Sequence, residues 1–219
     1  MILYGSSFSP FVRKTLAYLA ERGLPFELQQ ITLVSAPPEF YAASPFKKMP
    51  ALVDGDFSIS DSTAIITYLD AKYPDGALLP ADPADRARVV WFEEFADTIM
   101  TVVVFKCFFN RVVAPYFLRQ SGDEAAAKQG ESVDLPPMLD YLEQVVPDAD
   151  GFLVGGKLSV ADLAVASCFV NYDHAGIEID AAKYPKTKAW VAAMHARPSF
   201  ATGIAKEKAV LAKTMVAAK

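Results

Sequence analysis

Strand-like and helix-like runs of apolar and polar positions alternate along the first third of the chain. "MILYG" is a short apolar run and reads as a buried strand. "FVRKTLAYLAERG" reads as a helix closed by Gly23, because glycine is favoured just past a helix end. "FELQQITL" alternates well enough for a second strand. "PPEFYAAS" is a short helical turn opened by prolines, and "PALVDGDFSIS" gives two runs around Asp54-Gly55-Asp56, a strong hairpin signal. "DSTAIITYLDAKYP" then reads as a helix stopped at Pro74.

Strand–helix–strand, hairpin, helix is the order of a thioredoxin-like domain. From about residue 75 the pattern changes: "PDGALLPADPADRA" is rich in Pro, Asp, Gly and Ala and reads as a linker running into a helix cap. Nothing beyond it offers a pair of strands, and helices are expected at roughly 84–120, 132–147, 159–175, 183–196 and 199–213. "TVVVF" (101–105) is β-branched and has strand propensity, yet its helical flanks and lack of a partner place it inside a long helix. The expected fold is an α/β thioredoxin-like domain (1–76), a linker (77–83) and an all-α helical-bundle domain (84–219), with no internal repeat. The Ala/Lys-rich tail "KEKAVLAKTMVAAK" reads as a frayed helix.

Composition narrows the function classes. A chain of 219 residues removes roughly 70% of its unfolded surface from water, and 53% hydrophobic residues supply the core. A net charge of −5 argues against nucleic acid and against a strongly anionic membrane surface. The greasiest segment, "TIMTVVVFKCFF", is interrupted by Lys106 and falls short of the ~20 apolar residues of a membrane span. No signal peptide is expected from "MILYG". Cys107 and Cys168 lie far apart with no metal or redox spacing, which predicts free thiols in a reducing, cytoplasmic compartment. His174 and His195 have no ligand spacing, so no metal is expected and both are read as structural.

The chemistry concentrates at "SSFSPFVRK". Pro10 suits the first helical position and makes Ser9 the N-cap. In a thioredoxin-like fold the attacking cysteine of a C-x-x-C pair stands at this place. The register maps that pair onto Ser9 and Val12, neither of them a thiol, so disulfide-reductase chemistry is excluded. What remains is a hydroxyl at the positive end of a helix, a place that stabilises an anion. Ser6, Ser7 and Tyr4 are weaker candidates for the same task. "SVAD" (159–162) fits a capping box that starts a buried helix and does no chemistry. Trp91, Phe92, Phe95, Phe105, Phe108, Phe109, Tyr116 and Phe117 crowd the first long helix of the second domain and are mostly core or subunit interface.

Three stretches, in order and covering nearly the whole length, resemble the cytosolic glutathione transferases. "SPFVRK" is similar to the tau- and omega-like start of the first helix. "KKMPALVDGDFSISDSTAIITYLDAKYP" resembles the glutathione-binding half of the first domain, and "GGKLSVADLAVASC" the buried helix of the second. The resemblance implies a serine-type site in which Ser9 donates a hydrogen bond to the glutathione sulfur. An ordinary thiol titrates near 8.5, and lowering it by ~2 units takes about 2.7 kcal/mol. One charge-assisted hydrogen bond of ~1.5–3 kcal/mol and a helix end of ~0.3–1 kcal/mol have that size.

The resemblance further implies a cis Met49–Pro50 bond whose backbone faces the cysteinyl unit. Lys48 would meet the glycyl carboxylate, with plain surface charge as its alternative, Asp61 the ammonium, and Ser62 with the helix end the γ-glutamyl carboxylate, with helix capping as its alternative; Phe11 stands with these glutathione-binding residues. Asp61 replaces the family's more usual glutamate, and its capping role stands as the alternative. Phe8, Phe105, Phe108, Arg111 and Tyr116 are candidates for the electrophile pocket, Arg111 with snorkelling to solvent as its alternative. The implied protein is a homodimeric glutathione transferase using glutathione as co-substrate on a small hydrophobic electrophile or peroxide. A glutathione-dependent lyase, isomerase or dehalogenase, and a non-catalytic scaffold binding a protein partner, remain open beside it.

Overall fold

The computed structural model describes residues 1–32 and 35–216; the expected end of the second strand at Leu33 and the last three residues of the tail lie outside the described residues. Strands β1 (Ile2–Gly5), β2 (Glu27–Gln30), β3 (Ala51–Asp54) and β4 (Phe57–Ser60) form one sheet in the order β2-β1-β3-β4. β1 pairs parallel with β2 and antiparallel with β3, and β3–β4 is the hairpin the Asp-Gly pair predicts, with Gly55 at φ +64°.

Side chains alternate across a strand, so neighbouring residues serve different cores. Leu3 and Leu52 face Ala17, Tyr18 and Leu19 of α1 (Pro10–Glu21) and Ile65, Ile66 and Leu69 of α3 (Ser62–Lys72). Tyr4 and Ala51 face the other way, onto Phe40 and Ala43 of α2 (Pro38–Ala43). Gly5 is required where β1 meets α1, because a Cβ there would lie 2.6 Å from a Val12 methyl. That close approach sets the start of α1 directly above the strand end.

Among the described residues, helices alone follow. α4 (Pro83–Glu94), a wide-turned stretch Phe95–Met100, α5 (Thr101–Val103) and a second wide-turned stretch Val104–Phe117 run on as one 35-residue helix. "TVVVF" is helical as expected: tertiary packing overrides its strand propensity, with Val103 and Val104 in the core. The helix runs on through Lys106 as expected, and by length and composition alone it is long and apolar enough to cross a membrane. Of its most apolar window 44% is buried inside the fold, while Ile99, Val102 and Phe105 remain exposed.

The next helical stretch begins eight residues earlier than expected. α6 (Glu124–Gln129), a wide turn Gly130–Asp134 and α7 (Leu135–Val145) are continuous. α8 (Val160–His174) is buried all round except Asp173, α9 is Pro185–Ala196 and α10 is Pro198–Val216. The capping box is present: Ser159 N–H and its hydroxyl donate to Asp162 Oδ2 at 2.9 and 3.0 Å.

Candidate active site

Ser9 is the N-cap of α1, with φ −76° and ψ 128°. Its N–H donates to Ser6 O at 2.9 Å, and its carbonyl accepts from Arg13 N at 2.9 Å. Its hydroxyl oxygen accepts from Val12 N at 3.5 Å, beyond the 2.7–3.2 Å of an ordinary N–H···O bond. The contact uses a lone pair and leaves the hydroxyl proton uncommitted. Capping and donation to an anion are therefore compatible roles for one side chain. Ser6 and Ser7 are half-buried in the preceding turn, whereas Tyr4 is buried against Phe40 with its ring centroid 6.4 Å away, on the α2 side of the sheet. Burial raises the Tyr4 phenol above its ordinary range.

A cleft of about 710 Å³ opens between the start of α3 and the long helix. Phe11, Asp61 and Thr63 line one side, and Glu94, Asp97 and Thr98 the other; Ser9, Lys48, Met49 and Pro50 are not among its lining residues. Asp61 adopts φ +84°, a left-handed conformation rare for a residue with a side chain. From there its Oδ1 caps α3 by accepting from Thr63 N at 2.9 Å and Ala64 N at 3.1 Å. The capping reading of Asp61 is realised, and Oδ2 takes no part in it. Ser62 follows, 1% exposed, and its hydroxyl has no hydrogen-bond partner in the described protein. An orphaned buried hydroxyl at a helix N-terminus fits a ligand carboxylate.

The Met49–Pro50 bond is cis, and Pro50 O accepts from Asp61 N at 3.2 Å, tying this loop to the start of α3. The Ser44 hydroxyl grips the Lys48 backbone, donating to its carbonyl at 2.7 Å and accepting from its N–H at 2.9 Å. The Lys48 side chain is exposed and has no ion pair among the described residues, while the Lys47 ammonium lies 5.8 Å from the Tyr41 ring centroid.

Behind the cleft lies a cluster that the sequence reading missed. Lys14 is buried between Glu93 Oε1 at 2.8 Å and Asp97 Oδ2 at 2.5 Å, and the Thr63 hydroxyl donates to Glu93 at 3.0 Å. Burial pushes the Asp97 carboxyl up to about 6 against the pull of Lys14. Lys14 itself is raised: burial opposes its charge, but Asp97 and Glu93 outweigh burial. Nothing local in the sequence marks Lys14, whose partners stand about 80 residues away.

Of the pocket candidates, the structure brings Phe8 and Phe108 together, ring centroids 6.2 Å apart at 23°. It adds Phe117 at 5.3 Å and His174 at 6.0 Å from Phe8. Tyr116 is half-buried against the core, and Phe105 is 58% exposed and outside this cluster. Arg111 neither snorkels free nor points alone at a pocket: it pairs with Glu124 at 2.9 Å and Glu131 at 2.6 Å and donates to Ala175 O at 3.4 Å. His195 bonds Ala166 O, and both cysteines are buried free thiols. Among the described residues no group of His, Cys, Asp and Glu is arranged to hold a metal ion.

Two family models match the chain: "Glutathione S-transferase, N-terminal domain" over residues 3–77 and "Glutathione S-transferase, C-terminal domain" over residues 108–207. Glutathione S-transferase 3 of Zea mays is 32% identical over 216 residues, covering 93% of this chain and 92% of the relative. FtsZ-localized protein A of Caulobacter vibrioides is 27% identical over 207 residues, covering 90% of this chain and 88% of that protein. The crystal structure of a glutathione S-transferase from Rhodospirillum rubrum superposes with a TM-score of 0.81 at 27% identity, covering 91% of this chain and 89% of that one.

Proposed function

The chain belongs to the glutathione S-transferase family, and from that premise we propose that it is a glutathione transferase with Ser9 as the hydrogen-bond donor to the substrate sulfur. Bound glutathione supplies a thiol whose ionised form attacks a small apolar electrophilic carbon or a peroxide. Ser9 and the N-terminus of α1 favour the anion, which is activation by a lowered pKa combined with positioning. Ser62 and the first turn of α3 take the γ-glutamyl carboxylate, Asp61 Oδ2 its ammonium, Lys48 the glycyl carboxylate, and the Met49 main chain the cysteinyl unit beside Phe11. Phe8 and Phe108 offer the electrophile an apolar, stacked surface. The observation that carries this reading is the Ser9 hydroxyl, which caps α1 through a lone pair at 3.5 Å and keeps its proton for a ligand.

In the same reading, residues 1–76 bind glutathione, 77–83 link, and 84–219 line the electrophile pocket. The protein is a homodimer: Trp91, Ile99, Val102 and Phe105, each more than 40% exposed, put an apolar stripe on the long helix that a second copy would cover. Two buried free thiols are in keeping with a cytoplasmic detoxifying enzyme.

The test is the ultraviolet thiolate absorbance of bound glutathione against pH, in wild type and Ser9→Ala. A titration below the free-thiol value that returns toward it in the variant supports the reading; absence of glutathione binding overturns it. A second reading, a non-catalytic scaffold, is favoured by the similarity to FtsZ-localized protein A. Glutathione binding with no turnover on halogenated aromatics, peroxides and epoxides would favour it, and a glutathione-dependent ether cleavage or isomerisation would favour a specialised lyase or isomerase.

A further inference from the structure

The peptide bond that delivers Ser9 is held at both edges. On its nitrogen side, Ser9 N–H donates to Ser6 O at 2.9 Å; on its carbonyl side, Phe8 O accepts from Asn171 Nδ2 at 2.8 Å. The second contact comes from α8, the buried helix of the helical half, 163 positions along the chain. Asn171 is itself fully buried and is oriented by Arg13, whose guanidinium donates to Asn171 Oδ1 at 2.7 Å. With Oδ1 committed to a donor-only group, only Nδ2 can face the Phe8 carbonyl. The reversed amide would set oxygen against oxygen and N–H against N–H.

Arg13 in turn cannot swing. It donates to Ser167 O at 2.9 Å and to Glu207 Oε2 at 2.8 Å, and that carboxylate also meets His174 Nε2 at 2.8 Å. Glu207 lies on α10, so three helices converge on the orientation of one amide. Phe8 is half-buried, and a main-chain or water partner would satisfy its carbonyl as well. Here the partner is a side chain locked by a buried arginine, and the carbonyl it holds belongs to the peptide plane whose rotation moves the Ser9 Cβ and hydroxyl.

We propose that Asn171 is a positioning residue of the thiolate site: through the Phe8 carbonyl it sets where the Ser9 hydroxyl points, and Arg13, anchored on Glu207, keeps it in that register. This rests on the assignment of Ser9 to the sulfur. Catalytic strength then depends on a residue of the helical half that touches neither glutathione nor electrophile.

Asn171→Asp keeps the shape and the acceptor for Arg13 but replaces the donor facing Phe8 O by an oxygen. Asn171→Ala removes the donor without adding repulsion, and carries the test should the charged variant not fold. The bound-thiol titration is measured in wild type, Ser9→Ala and both Asn171 variants, with thermal melts alongside. The expected result is a titration in Asn171→Ala raised by about half to one pH unit, the size of one hydrogen bond, with glutathione affinity within about threefold of wild type. Asn171→Asp should be displaced at least as far. Asn171 variants that melt lower yet titrate with wild type would reduce Asn171 to a structural role and overturn the proposal, leaving the Ser9 assignment intact. Coincident wild-type and Ser9→Ala titrations would overturn that assignment, and the positioning role with it.

Discussion

Lys14 Nζ lies 2.8 Å from Glu93 Oε1, and the two side chains are 1% and 2% exposed. The pair joins α1 to the long helix, with Asp97 at 2.5 Å on the other side of the ammonium. Breaking a buried pair leaves an uncompensated charge in a poorly solvating interior, which costs about 3–5 kcal/mol, whereas replacing the whole cluster by uncharged groups is often near neutral. Lys14→Met is therefore expected to lose roughly that much in urea denaturation, and Lys14→Met with Glu93→Gln and Asp97→Asn to recover most of it. A single variant as stable as wild type would show that the cluster does not hold the two helices together.

Much of this arrangement was legible because its cause is local. The Asp54-Gly55 pair makes the hairpin, Ser9-Pro10 and Asp61-Ser62 mark two helix starts, and Ser159 with Asp162 marks a third. The start of α6 was not legible, because "EAAAKQGESVD" has good helix formers but a glycine in the middle and no apolar stripe. Gly130 is there for a crossing: a Cβ would lie 2.9 Å from Lys106 Cβ and 3.0 Å from Cys107 Sγ. The partners of Arg13 and Lys14 escaped for a related reason. Two adjacent cations in a helix read as solvated surface until α8, α10 and the long helix close over them.

Ser62 separates binding from stability. Its hydroxyl is buried without a partner, so the described protein carries the desolvation of a polar group that no hydrogen bond offsets. Ser62→Ala should leave the thermal midpoint unchanged or raise it, by on the order of 1 kcal/mol of stability. The same change should weaken glutathione by about 10- to 100-fold, the worth of one charge-assisted hydrogen bond. Calorimetric titration checks it, and an unaltered affinity would take Ser62 out of the carboxylate site.

Arg111 was a candidate for electrophile recognition, and its geometry argues for a different effect. Glu124 and Glu131 already neutralise it, and hydrogen bonds from its guanidinium to Glu124 hold its charge more firmly than usual. Arg111→Ala is expected to loosen the stretch from Glu124 to Asp134, seen as faster amide exchange there, at a cost of about 1 kcal/mol for a partly exposed network. KM for a neutral and for an anionic electrophile should change by the same factor. A selective rise for the anionic one would restore Arg111 to the pocket.

Asp162 gives a pH test with a definite sign. Its Oδ1 accepts from Leu153 N at 2.8 Å and its Oδ2 from Ser159 N at 2.9 Å, contacts that favour the ionised form. The residue is 0% exposed, and burial prevails, pushing the carboxyl up to about 6 from an ordinary value of 3.8. A folded-state pKa above the unfolded one means that the folded protein holds the extra proton between about pH 4 and 6. Stability from this group therefore falls as pH rises through that window and is level above it. The drop is on the order of 2–3 kcal/mol. Asp97, pushed the same way by burial, adds a slope of the same sign, so the test is the difference between wild type and a variant lacking only one group. Asp162→Asn cannot titrate and keeps a single acceptor oxygen, so it is less stable throughout, and its deficit should be largest near pH 4 and shrink toward pH 7. Urea denaturation at four pH values across that range measures it. A deficit that grows with pH would mean that the three donors around the carboxylate outweigh its burial, and that the capping box is strongest in its charged form.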